Sequence, residues 1–369
     1  MTTEQPQPSF RFVENTDPVS DARRREILAD PGFGDHATDY VAAIRWSGRS
    51  PEEGTWTDPR IEPRAPLQLD PASAVFHYGQ EVFEGLKAYR HADGSVWLFR
   101  PEANAARLNR SAERLALPAL PPELFLASLD ELVRRDHHWI PEREGTSLYL
   151  RPFMIATEPF LGVRPSREVL YEVIASPAGN YFGTPEPVDI WLSTTWARTH
   201  AGGTGFAKCG GNYAASLLPQ LEGEAQGCKQ VIFTDRNRED AVEELGGMNV
   251  FFVTHDGKLV TPELTGTILP GITRDSVIHL AQDHGIEVEE RTVTLGEWRE
   301  GVASGQITEI FACGTAAVIA PMGRLLSERG EIPAPAQTNG EITTWLRDQL
   351  VGIQHGTVED PYGWMHRVL

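Results

Sequence analysis

Lysine is the scarce residue of this chain. Four lysines (Lys87, Lys208, Lys229 and Lys258) stand against 29 arginines among 369 residues, so arginine meets the general need for surface positive charge. Basic residues as a group are also outnumbered, 33 against 52 acidic ones, for a formal charge of −19. That balance argues against nucleic acid or an anionic membrane as the main partner, because phosphate surfaces demand clustered cations. Solubility is its plainer consequence. The three cysteines, Cys209, Cys228 and Cys313, are odd in number and scattered, which builds neither a disulfide framework nor a four-ligand zinc site. No apolar run approaches the ~20 residues of a spanning helix, and residues 1–10 lack the charged-then-apolar order of a signal peptide. A cytoplasmic location is expected. G-x-S-x-G, H-E-x-x-H, Cys-x-x-Cys, a Walker loop and G-x-G-x-x-G are all missing, which leaves serine-hydrolase, zinc and nucleotide chemistry with little support. His137-His138 reads as a cap or surface pair, and no metal site is expected.

What is present is ordinary globular composition, 40% hydrophobic and 9% aromatic, in a chain long enough for two domains. The organisation expected is a flexible tail over residues 1–20, a small α+β domain over 21–176, an interdomain loop over 177–187 and a larger α+β domain over 188–369. In the first part, Tyr40 to Trp46 alternates as a strand does. Asp93-Gly94 between two apolar runs predicts a hairpin whose turn residues both take positive φ. Helical spacing follows Pro101 (Ala105, Leu108, Ala112, Leu115) and Pro122 (Phe125, Leu129, Leu132, Val133). Strands are expected over 148–156 and 169–175. The run Ser176 to Pro187 crowds Pro and Gly as a linker does. Beyond it, strands are expected over 188–194, 230–234, 248–253, 258–261 and 307–312. Two helices are predicted as well, one from an N-cap at Thr273 to Gly285 and one closing the chain over Ile342, Trp345, Leu346, Leu350 and Ile353.

Lys208 is the most informative residue. It sits in Gly202-Gly203-Thr204-Gly205-Phe206-Ala207-Lys208-Cys209-Gly210-Gly211-Asn212-Tyr213, one amine among five glycines with no other charge nearby. An amine can lose its proton and form an imine, whereas guanidinium stays charged. Glycines let backbone approach a bulky planar partner. The chain also holds groups suited to the three handles of pyridoxal 5′-phosphate. For a phosphate, Leu264-Thr265-Gly266-Thr267-Ile268-Leu269-Pro270-Gly271 leads into a helix, Gly314-Thr315 offers a second set of donors, and Arg100 a bidentate cation. For the ring nitrogen, Glu243-Glu244 lies on a loop ahead of Gly246-Gly247 and a strand, and for the phenolic oxygen there is Tyr213.

Six blocks in order, FEGLKAYR (Phe83 to Arg90), LFRP, KCGGNYAAS, ELGGMNVFFV, LTGTILPGITR and ACGTAAVIAP, resemble the branched-chain amino acid aminotransferases, pyridoxal-phosphate enzymes of fold type IV. The resemblance runs from about residue 33 to the end. It implies a two-domain α+β fold like that of D-amino acid aminotransferase and transamination of L-leucine, L-isoleucine and L-valine with 2-oxoglutarate. It further implies a covalent bond from Lys208 to the cofactor, with Glu244 at the ring nitrogen and Tyr213 at the phenolic oxygen. Arg100, Leu264, Gly266, Thr267, Ile268 and Thr315 would hold the cofactor around its phosphate. Phe83, Tyr149 and Tyr181 would wall the substrate pocket, and Arg151 would meet the acidic side chain of glutamate. Tyr78 from a partner subunit, with the backbone of Gly314, Ala316 and Ala317, would meet the substrate carboxylate. At least a homodimer is implied, with amino acids and 2-oxo acids as its small-molecule partners. Ala317 and Ala320 stand where some relatives carry a redox Cys-x-x-Cys, and Gly247 where some carry threonine. D-amino acid transaminase, aminodeoxychorismate lyase and a non-catalytic cofactor carrier are the rival readings.

Overall fold

In Ser147–Ala156 every second residue is apolar and buried: Leu148, Leu150, Met154 and Ala156 point to the core, while Tyr149, Arg151 and Phe153 are half-buried on the opposite face. A strand turns successive side chains to opposite sides, so the alternation alone sorts core residues from those available for chemistry. The computed structural model describes residues 8–143, 145–179, 181, 186–235, 237–238 and 240–369. Its contacts divide the chain into two units, residues 1–181 with 207–210 and 354–369, and residues 182–206 with 211–353.

The first unit is built on one nine-stranded sheet. Its strands are β1 (Arg11–Phe12), β2 (Tyr40–Ser50), β3 (Glu53–Pro63), β4 (Glu81–Phe83), β5 (Leu86–Arg90), β6 (Val96–Phe99), β7 (Ser147–Ala156), β8 (Glu168–Ala178) and the C-terminal Met365–Arg367. The order is β1-β3-β2-β8-β7-β5-β6 and then the C-terminal strand, with β4 paired to β7; every pairing is antiparallel except β1 with β3. The helices are α1 (Asp21–Ala29), α2 (Ala74–Tyr78), α3 (Pro101–Arg114) and α4 (Pro122–Asp136). Proline opens both α3 and α4 in the first turn, where its missing N–H costs nothing. Ala105, Leu108 and Ala112 of α3 join Phe125, Leu129, Leu132 and Val133 of α4 in one apolar cluster.

The second unit carries a second nine-stranded sheet. It comprises β9 (Val188–Leu192), β10 (Gln230–Asp235), β11 (Ala241–Leu245), β12 (Asn249–Thr254), β13 (Leu259–Thr261), β14 (Val288–Glu290), β15 (Ile307–Gly314), β16 (Val318–Ser327) and β17 (Gly330–Ile332). Their order is β11-β10-β9-β16-β15-β12-β13-β14, with β17 on β16. Helices α5 (Gly210–Ala225), α6 (Ile272–Asp283), α7 (Leu295–Ser304) and α8 (Glu341–His355) complete the chain. Mixed sheets accompanied by helices make the fold α+β.

Several expectations change. The hairpin at Asp93-Gly94 forms, but only Gly94 has positive φ, 86°. The chain turns over five residues instead, with Asp93 Oδ1 accepting the Ser95 N–H at 2.9 Å. Helix α6 starts at Ile272 with Gly271 as its N-cap, so Thr273 lies inside it. The paired acids Glu243 and Glu244 sit in strand β11 and not on a loop. Of the stretch expected as a tail, residues 1–7 lie outside the description, and Arg11–Phe12 pairs in parallel with Arg60 and Ile61. Of the expected linker, residues 180 and 182–185 lie outside it, and β8 already occupies Ser176 to Ala178.

Candidate active site

In the first unit, Lys208 is fastened on both sides of its peptide. Its N–H donates to Ser111 Oγ at 2.9 Å, and its carbonyl accepts the Phe83 N–H at 2.9 Å. Two residues on, the Gly210 N–H donates to Glu81 Oε1. A Cβ on Gly210 would press on that carboxylate, the movable end of a side chain. The amine stands 4.8 Å from the centre of the Phe83 ring. Burial, and then the charge of Arg107, pulls its pKa down to about 8 against the opposing pull of Glu84 and Tyr149. The neutral amine is thus accessible close to neutral pH.

Alternation along β7 brings Tyr149 and Arg151 to one face, where Arg151 Nη2 donates to the Tyr149 hydroxyl at 3.0 Å. The Arg151 guanidinium also lies 4.8 Å from the Phe83 ring. Phe33 makes edge contacts with Tyr149 and Tyr181, at 5.1 and 4.9 Å. Lys208, Phe83, Tyr149, Arg151 and Tyr181 therefore form one aromatic and cationic group. Arg100 holds φ 51° ahead of Pro101, donates its N–H to Trp364 O at 2.7 Å and lies 5.0 Å from the Trp364 ring. The Tyr78 hydroxyl donates to Leu161 O at 2.5 Å.

In the second unit, Glu244 is buried and ion-paired. Its Oε1 lies 2.6 Å from Arg198 Nη2 and accepts the Leu269 N–H at 2.8 Å. Arg198 also donates to Gly205 O at 2.9 Å and to Thr267 O at 2.6 Å, so one guanidinium ties the glycine-rich run, the acid and the Thr265–Ile268 turn together. A Cβ on Gly205 would run into the backbone of Thr267. In that turn Gly266 has φ 93°, Thr265 and Thr267 hydroxyls meet at 2.8 Å, Thr267 and Ile268 are buried and Leu264 is exposed. Burial pushes the neighbouring Glu243 carboxyl up. Tyr213 lies on α5, and a Cβ on Gly247 would meet its ring at 3.6 Å, an ordinary contact. Gly314, Thr315, Ala316 and Ala317 are half-buried where β15 turns into β16.

Sequence reading missed Arg198, Glu81 and the buried trio Glu84, Asn104 and Arg107. Only the trio left a signal: Arg107 stands next to Leu108 within the apolar stripe of α3, where an unpaired charge would be costly.

A family model described as amino-transferase class IV matches residues 81–325. The chain belongs to that family. The branched-chain-amino-acid aminotransferase of Mycolicibacterium smegmatis is 54% identical over 364 residues, 97% of this chain and 98% of that relative. Among solved structures, the branched-chain aminotransferase of Thermoproteus uzoniensis with norvaline matches at a TM-score of 0.73 and 27% identity, over 89% of this chain and 100% of that one. The T.th. branched-chain amino acid aminotransferase complexed with N-(5′-phosphopyridoxyl)-L-glutamate matches at 0.69 and 29%, over 89% and 99%. The fold of this class IV aminotransferase is accordingly the fold type IV arrangement.

Class IV aminotransferases use pyridoxal 5′-phosphate, and the donor sets fit it. The Lys208 amine, of lowered basicity, suits its aldehyde. A buried carboxylate beside a guanidinium suits a protonated ring nitrogen. A turn with a positive-φ glycine and two threonine hydroxyls suits a phosphate.

Proposed function

We propose that this protein is a pyridoxal 5′-phosphate-dependent transaminase that moves the amino group of L-leucine, L-isoleucine or L-valine to 2-oxoglutarate, giving branched-chain 2-oxo acids and L-glutamate. The observation that carries the reading is the single clamped amine of Lys208, its basicity lowered, grouped with Phe83, Tyr149 and Arg151. Bound covalently through its aldehyde, the cofactor supplies an electron sink that makes the α-proton of an amino acid acidic. Released when the substrate's amino group takes its place at the aldehyde carbon, the Lys208 amine would take that proton and return it at the neighbouring carbon, acting as base and then acid. Glu244, paired with Arg198 at 2.6 Å, would hold a proton at the ring nitrogen. Tyr213 donates to the phenolic oxygen, and Arg100, Leu264, Gly266, Thr267, Ile268 and Thr315 hold the phosphate end. Phe83, Tyr149 and Tyr181 form an apolar wall for branched side chains. Each methylene is worth only ~1–3 kcal/mol of discrimination in such a pocket, so the three amino acids overlap as substrates. Arg151 receives the distal carboxylate of glutamate. Gly314, Ala316 and Ala317, with Tyr78 of a partner subunit, meet the α-carboxylate. The enzyme works in the cytoplasm as a homodimer or a higher homo-oligomer.

Two measurements test this. Borohydride reduction and peptide mapping should place a pyridoxyl adduct on Lys208, and L-leucine with 2-oxoglutarate should yield glutamate. Lys208→Ala should lose both; turnover by that variant at the wild-type rate would refute the reading.

A further inference from the structure

The backbone of Lys208 is slung between one helix and one strand. Ser111 of α3 accepts its N–H; Phe83, the last residue of β4, donates to its carbonyl. Where the amine stands therefore depends on how α3 and the segment 81–84 are set against each other. A buried ion pair joins these same two pieces. Arg107 grips Glu84 through both carboxylate oxygens, Nε to Oε1 at 2.7 Å and Nη2 to Oε2 at 2.8 Å, while Asn104 Nδ2 donates to Oε2 at 2.7 Å. Glu84 is in turn held by its N–H donating to Pro152 O of β7 at 2.7 Å. Asn104, Arg107 and Ser111 share one stripe of α3, three and four residues apart, and with Glu84 each is at most 3% exposed. Burial alone would raise the Glu84 carboxyl, but Arg107, with help from Lys208 and Asn104, brings it below its ordinary range. A dehydrated ion pair is a poor way to gain stability, since apolar packing of equal volume often does better. A bidentate grip does fix relative position, which apolar packing does less sharply.

We infer that the Glu84–Arg107 pair, steadied by Asn104, is the positioning brace of Lys208, locking α3 to the segment 81–84 so that the lysine peptide between Ser111 and Phe83 is held in its working place. The inference rests on the function proposed above. Glu84, Arg107 and Ser111 are positioning residues; Lys208 is the group they serve.

The holoenzyme tests it through Glu84→Gln, which keeps the side-chain shape but removes the charge. Cofactor content should match wild type and KM for leucine should stay within about twofold, while kcat falls about 10- to 100-fold, the scale on which small displacements of a reacting group act. A role in stability alone would lower the melting temperature and leave kcat in place, and this result would overturn the inference. Ser111→Ala probes the other end of the brace without touching the buried charges. It should lower kcat about tenfold at unchanged melting temperature, and wild-type kcat there overturns the inference even if Glu84→Gln does not fold. Wild-type turnover and the adduct on Lys208 serve as controls. If those fail, the functional reading fails; if they hold and both variants behave as wild type, only the brace is wrong.

Discussion

Arg151 is the residue whose chemistry separates the two substrates of the proposed reaction. Its guanidinium lies over the Phe83 ring and donates to Tyr149, so in the proposed reaction one side chain would border both the apolar wall and the place of the 2-oxoglutarate carboxylate. Leucine needs the wall and 2-oxoglutarate needs the charge. Arg151→Met should therefore raise KM for 2-oxoglutarate by about tenfold or more, the ~1.5–3 kcal/mol of a hydrogen bond to a charged group, and leave KM for leucine within about twofold. Equal increases in steady-state assays against both substrates would assign Arg151 to packing instead. Lys208 itself was conspicuous in the sequence because lysine is scarce and glycine crowds it. Arg198 was not, since its three partners come from positions 205, 244 and 267, and no local spacing announces them.

At the scale of elements, the join between α4 and the start of β2 buries a titratable group. Asp136, at the end of α4, is wholly buried, and its Oδ2 accepts the Tyr40 N–H at 3.2 Å. Asp39 beside it accepts from Val19 N–H at 2.8 Å and from the Trp139 indole at 2.7 Å, with His138 3.6 Å away. Burial first, and then the Asp39 charge, raises Asp136 from 3.8 to about 7. The folded state thus binds a proton that the unfolded state releases. The stability this contributes is fully present below the ordinary carboxyl pKa and is lost as pH rises through about 7. Asp136→Asn holds a neutral side chain at every pH. Its melting temperature relative to wild type should climb between about pH 5 and about pH 8, and a difference that stays flat or falls in paired melts would show that Asp136 is ionised throughout. Element types with strong periodicity, β7, α3 and α4, were legible in the sequence. The Asp93-Gly94 turn was not, because Asp93 satisfies Ser95 through its side chain and the positive φ expected of it is not needed. Helix α5 hid behind Gly210-Gly211, which read as a cofactor cradle, and β11 hid behind a pair of acids that solvent would normally claim.

Across the whole molecule, the three cysteines give a common forecast. Cys209, Cys228 and Cys313 are all unbridged and buried. Burial raises the Cys228 thiol and pushes that of Cys313 up to about 12. Thiolate is the reactive form. Native protein treated with iodoacetamide near neutral pH should therefore keep its activity, with Cys228 and Cys313 unlabelled in the peptide map. Rapid labelling of either, with matching loss of turnover, would contradict the burial. Among the described residues no helix is long and apolar enough to cross a membrane.

The sequence by itself determined whatever depends on local order: the alternation of β7, the apolar stripes of α3 and α4, the glycine-flanked amine at Lys208, and the family that six ordered blocks announce. Tertiary structure alone decided which distant charges meet. Glu84 finds Arg107 across 23 residues and Arg198 finds Glu244 across 46, because a buried charge is tolerable only beside its counter-charge, and that pairing is settled by how helices and sheets pack, not by neighbours along the chain.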